Sequence, residues 1–262
     1  METSRRKFIE ICVAGAAPCG AMAAAPPPSS AAGSSAPLAS RKYNRVKLVD
    51  ADGRAIKAKS LKANHNYVFS YPYGSTPCFL LNLDKPLAGK VSLKTADGGT
   101  YDWPGGVGAK KSIVAYSAIC AHKLAYPTSQ VSFISYRALP SRSSARGQVI
   151  SCCADKSVYD PLAGAKVMSG PAPQPLAAIL LEHDPTSDEL FATGTFGGEK
   201  FNEFFQKYDF KLSMEMGAKA KVTFQTQHRI PRLQIALDRD RIRRCGQTGS
   251  GQKPAKTTAA AA

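Results

Sequence analysis

The sequence predicts an all-β domain, an antiparallel sandwich or small barrel, followed by a C-terminal helical extension. Three observations carry this. Between about Arg41 and Phe196 the chain is a succession of short apolar or β-branched runs separated by Gly, Pro, Asn and Asp turns. Many short strands with regular punctuation are the mark of a sandwich or barrel. Past Phe196 the apolar spacing becomes helical, at Phe201, Phe204, Phe205, Tyr208 and Leu212. Finally, 44% apolar residues in 262 suffice for a sizeable core.

Taken in order, residues 1–25 read as an export signal. The run SRRKFI (residues 4–9) precedes an alanine-rich apolar stretch and the sequence AMA, and resembles the twin-arginine pattern. That route carries folded proteins, which suits a chain loaded with metal before it crosses. A spanning helix needs about 20 apolar residues, and Glu10, Gly15 and Pro18 interrupt this one. The segment is either cut near Ala23 or kept as an anchor in the inner membrane; both place the domain in the periplasm. Residues 26–40, rich in Pro, Ser, Ala and Gly, form a flexible linker.

The β domain spans 41–196. Its strands are expected in YNRVKLVD, NYVFSYPY, CFLLNL, GKVSLK, KSIVAYSAI, QVSFISYRA, GQVISC, AAILLEHD and ELFATGTF. The extension, 197–241, begins with a helix packed on the sheet. KVTFQTQ reads as one more strand, and RIPRLQIALDRDRIRR as a short basic helix. Residues 242–262 form a disordered basic tail. From Lys219 onward ten Lys or Arg stand against Asp238 and Asp240, a net +8 of the chain's +16. Such a tail either docks on an anionic membrane or acidic partner or is simply solvated. Export argues against nucleic acid.

Seven cysteines occur, two of them in the export segment. The odd number left does not read as a disulfide framework. Cys120-Ala121-His122 places two metal-capable side chains on one loop (118–127). A second loop region (150–176) carries Cys152, Cys153 and Asp155, then SVYD (Ser157 to Asp160) and GPAPQPL (Gly170 to Leu176). Cys78, within CFLLNL, reads as a core residue, and His65, His183 and His228 have no paired motif.

This arrangement resembles the Rieske iron–sulfur family, over roughly residues 105–180. The family pattern is Cys-x-His on one loop and Cys-x-x-His on another, the latter followed by Ser-x-Tyr-Asp and a proline loop. The resemblance implies a Rieske-like sandwich with a cluster-binding subdomain. It implies one 2Fe–2S cluster, held by Cys120 and Cys152 on one iron and by His122 and the residue at position 155 on the other. Ser157 and Tyr159 match the residues that hydrogen-bond the cluster sulfurs and raise its potential.

Three departures are visible. The family's disulfide between the two loops falls on Ala125 and Ala154, so it is absent as a unit. Twenty-nine residues separate His122 from Cys152, which fits an added hairpin in PTSQVSFISYRALPSRSSARG. Asp155 stands where the second histidine is expected. It is either an iron ligand, hard and anionic and therefore lowering the potential, or a turn residue, in which case Cys153 is the alternative fourth ligand. Otherwise Cys153 is a free thiol. Lys123 and Lys156 would offset added negative charge.

The function implied is periplasmic electron transfer, with no catalysis by the chain alone. It would pass single electrons from an oxidoreductase or quinol donor to a c-type cytochrome, as a partner of a cytochrome b or molybdenum-oxidase type of subunit. The missing histidine weakens the quinol version, and a relay like the small Rieske subunit of arsenite oxidase fits better. Two alternatives remain open: a Rieske-fold binding module that has lost its cluster, and a single zinc ion on the same side chains.

Overall fold

A computed structural model describes residues 37–50, 52–87, 89–128, 131–141, 144–224 and 243–244. The expected export signal and nearly all of the linker and tail lie outside the described residues. The first strands are β1 (Arg41–Lys47), β2 (Tyr67–Ser70), β3 (Pro77–Asn82), β4 (Val91–Lys94), β5 (Thr100–Trp103) and β6 (Ile113–Ser117). Then come β7 (Val131–Ser132), β8 (Ile134–Arg137), β9 (Val149–Cys152), β10 (Val158–Asp160) and β11 (Lys166–Ser169). Two long strands, β12 (Ala178–Asp184) and β13 (Glu189–Phe196), precede helix α1 (Phe201–Met216), and β14 (Arg243–Arg244) is last.

The molecule is therefore mostly β, with one C-terminal α-helix among the described residues, as the punctuation of the sequence predicts. A six-stranded sheet has the order β1-β13-β12-β6-β3-β2, and its pairs are antiparallel. A four-stranded antiparallel sheet has the order β11-β10-β9-β8. β4 and β5 form a separate hairpin. One apolar core joins all three sheets, running from Phe79, Leu81 and Tyr116 through Leu93 and Trp103 to Ile134, Ile150 and Tyr159. Within it the Tyr116 hydroxyl donates to the Pro161 carbonyl at 2.8 Å, tying β6 to the end of β10.

The long insertion after the first loop supplies β7 and β8. β8 completes a hairpin with β9 rather than standing apart. The basic helix expected over 229–244 is not what its last two residues form: Arg243–Arg244 pairs in parallel with Val131–Ser132. Thr223 makes only an isolated bridge, to Tyr73, and the rest of KVTFQTQ beyond Phe224 lies outside the described residues.

Helix α1 buries Phe201, Phe204, Phe205 and Leu212, so the helical spacing marks its inner face correctly. Its main partners are Ile119, Leu124 and Tyr126, all on the first loop, together with Tyr73. Phe204 is fully buried and meets Tyr126 edge-on, ring centres 5.0 Å apart. Phe204→Ala is expected to cost about 3–5 kcal/mol, read as a lower denaturant midpoint at unchanged slope in urea unfolding. A loss under about 1 kcal/mol would mean that α1 is not integral to the fold.

Candidate metal centre

The two loops hang from different sheets. The first leaves β6, where Ser117 N donates to the Ala177 carbonyl and Ala118 N to the Pro77 carbonyl, both at 2.8 Å. Cys120 N then donates to the Ala125 carbonyl at 2.9 Å and Leu124 N to the Cys120 carbonyl at 3.0 Å. These bonds close residues 120–125 into a compact turn, with Leu124 in the left-handed region at φ 56. The second loop joins β9 to β10 in the smaller sheet. Cys152 N donates to the Ser157 carbonyl at 2.8 Å, and the Asp155 Oδ1 accepts from Ser157 N at 2.9 Å. An aspartate that caps its own turn suits this position even before any ligand is considered.

The loops bring their donor groups together. Ligand atoms of Cys120, Cys152 and Asp155 all lie within 4.8 Å of one another. Cys120 Sγ donates to Asp155 Oδ2 at 3.0 Å, and His122 Nδ1 stands 3.3 Å from the same oxygen. Both cysteines are fully buried and the Asp155 side chain is 1% exposed, whereas that of His122 is 36% exposed. Three donors thus sit inside and one faces the surface.

Burial without water makes these groups strongly interdependent. A hydrogen bond from Cys152 draws the Cys120 thiol below its ordinary value, and the same bond, with burial, pushes Cys152 well up. Burial pushes Asp155 up, but hydrogen bonds from Cys120 and Ser157 outweigh it and leave the carboxyl below its usual range. Tyr159, fully buried, places its hydroxyl 3.4 Å from Cys120 Sγ and accepts from Ala121 N at 3.3 Å.

The proline loop is seated on the second loop. Ala172 N donates to Ser157 Oγ at 3.1 Å, and the serine hydroxyl itself donates to the Asp155 carboxylate. Gly170 has φ +91, and a Cβ there would lie 2.5 Å from Ser157 Cα. Only glycine allows both the turn and the approach. Gly170→Ala is expected to lift the proline loop off Ser157 at a cost of about 1–3 kcal/mol. Faster labelling of Cys152 by a thiol reagent in metal-free protein would show the uncovering; an unchanged rate would mean that the loop does not shield it.

Among the sequence candidates, Cys120, His122, Cys152 and Asp155 converge, with Ser157 and Tyr159 beside them. Cys153 is outside that group and is disulfide-bonded, not a free thiol. Cys78 is fully buried, its thiol donating to the Tyr71 carbonyl at 3.1 Å. His183 pairs with Asp188 at 2.9 Å and His65 stacks on Tyr67, while His228 lies outside the described residues. The brace from α1 was not legible in the motif. It includes a bond from Lys207 Nζ to the Lys123 carbonyl at 2.6 Å, and no local pattern marks a lysine eighty-four residues away.

Two thiol sulfurs, a carboxylate and an imidazole are a donor set that suits iron–sulfur chemistry or a single soft-to-borderline divalent ion. Because Cys120 and Asp155 share a proton in hydrogen-bond contact, ligation by both requires that proton to leave and the two atoms to separate.

No family model matches the sequence. Among solved structures the chain is similar to the soluble domain of the Rieske protein II (soxF) from Sulfolobus acidocaldarius, at 25% identity and a TM-score of 0.40. The likeness covers 60% of this chain and 82% of that one.

Proposed function

We propose that the chain is an exported one-electron carrier that binds a Rieske-type 2Fe–2S cluster on Cys120, His122, Cys152 and Asp155. The observation that supports this most is the meeting of these four side chains from two loops on two different sheets. The Tyr159 hydroxyl 3.4 Å from Cys120 Sγ, and the proline loop bonded to Ser157 Oγ, add support. When bound, the cluster supplies reversible one-electron oxidation and reduction.

The chain's own residues would set the conditions. Cys120 and Cys152 supply buried thiolate; the Tyr159 and Ser157 hydroxyls would donate toward sulfur and favour the reduced form. Asp155 adds a negative charge that favours the oxidised form, and the proline loop excludes water. His122, half-exposed, would give the shortest route to a partner. A c-type cytochrome is the proposed acceptor and an oxidoreductase subunit of the molybdenum or cytochrome b type the proposed donor. No helix among the described residues is long and apolar enough to cross a membrane.

A second reading has its own support. Donors of Cys120, Cys152 and Asp155 within 4.8 Å of one another also fit one tetrahedral ion, since Zn–S is about 2.3 Å and Zn–O about 2.0–2.2 Å. The test is metal and sulfide analysis, with electron paramagnetic resonance after reduction, on protein matured in an iron–sulfur-competent host. Two irons, two sulfides and a low average g value support the carrier. One zinc without sulfide supports the second reading, and protein that takes up neither metal overturns both.

A further inference from the structure

The family resemblance puts a disulfide at the positions of Ala125 and Ala154. Both alanines line the same cavity, of about 270 Å³, between the tips of the two loops and helix α1. The walls are aromatic: Tyr126 and Phe133 from the loop side and Tyr208 from the helix. Phe133 is 39% exposed, large for a phenylalanine.

The rim is cationic. Lys123, Lys207 and Lys211 all border the opening. Lys207 Nζ is steered there by its bond to the Lys123 carbonyl, and it lies 5.4 Å from the centre of the Tyr208 ring. Lys211 Nζ lies 5.2 Å from the centre of the Tyr126 ring. Against these three cations stands Glu215, 3.8 Å from Lys211 and one helical turn further along. Charge at the mouth is therefore unbalanced in favour of an anion, while the walls favour a flat apolar body.

We propose that this cleft binds a small aromatic monoanion, one ring bearing a carboxylate or sulfonate. Pockets for drug-sized ligands run to about 300–1,000 Å³, so the cavity suits a single ring. The ring lies among Tyr126, Phe133 and Tyr208, where aromatic contacts add to burial. The acid group meets the Lys207 and Lys211 ammonium groups, in an exposed setting where added salt weakens it. Because Lys123 and Ala154 adjoin His122 and Asp155 in the chain, an occupant touches both metal-bearing loops at once.

The inference does not depend on which metal the loops hold, and its test is separate from metal analysis. The full chain is titrated with 4-hydroxybenzoate, with benzylamine and acetate as controls, following amide shifts by NMR at low and high salt. Saturable binding of 4-hydroxybenzoate is expected, weaker at high salt, with shifts at Lys207, Tyr208 and Phe133. The exposed-charge variant Lys207→Glu/Lys211→Glu should lose about tenfold or more in affinity, and its amide spectrum away from the cleft reports that it is folded. Absent binding, undiminished affinity in that variant, or equal binding of benzylamine would overturn the proposal. Acetate bound as tightly as the aromatic acid would also overturn it, because the lysines would then be reading charge alone, as they would on an acidic protein surface.

Discussion

Asp155→His is expected to raise the reduction potential by on the order of 100 mV, on the scale by which imidazole ligands set Rieske centres above all-thiolate ones. The reasoning is electrostatic. Under the proposed ligation, a carboxylate whose side chain is 1% exposed would place a full negative charge against the metal in a medium that screens it poorly. That charge would stabilise the more oxidised irons, and a neutral imidazole would remove it. Histidine also restores the pattern of the second loop, so the variant should bind its cluster at least as well as the parent. Protein-film voltammetry or a redox titration followed by electron paramagnetic resonance gives the value. An unchanged potential would show that Asp155 caps its turn through Ser157 N and does nothing more.

Cys152→Ala should abolish the iron and sulfide content altogether, whereas Cys153→Ala should leave it intact. The two residues are neighbours in sequence and opposite in circumstance. Cys152 ends β9 fully buried, facing Cys120 and Asp155. Cys153 is turned away from that group and already committed to a disulfide. Its replacement is expected to cost about 2–4 kcal/mol through the lost cross-link, visible in thermal unfolding under non-reducing conditions, with the spectroscopic signal retained. The opposite outcome, metal lost with Cys153 and kept without Cys152, would shift the ligand register by one residue and remove the basis for placing Ser157 and Tyr159.

Most strands were readable because they are apolar and bounded by turn residues, and α1 because its apolar spacing changes period at Phe201; β5, β10 and β11, short and partly polar, were not expected. The loops were readable because the chemistry is local: a cysteine, a histidine, a second cysteine, a serine and a tyrosine each fall within a few residues of the next. What was not readable is tertiary. Nothing about Phe204 or Tyr208 says that their partner is the first loop and not a sheet face. Nothing about Ala125 and Ala154, taken singly, says that they share a cavity with Lys207 and Lys211. The pairing of Arg243–Arg244 with Val131–Ser132 ran against helical propensity, a preference worth only a few tenths of a kcal/mol per residue that tertiary context overrides. The disulfide of Cys153 was hidden for a similar reason: an odd cysteine count says that pairing is incomplete but not which member is left out.

The first loop grows from the large sheet and the second from the small one, and residues 120 and 152 meet only where those sheets are docked. Neither hairpin carries enough donors to capture an ion while it is forming. Contacts so far apart along the chain close late, after the entropy of the intervening segment has been overcome. Under the proposed function, loading would therefore be a closing event and not a nucleating one. The polypeptide would reach its finished shape without help from the inorganic component, in whichever compartment supplies that component.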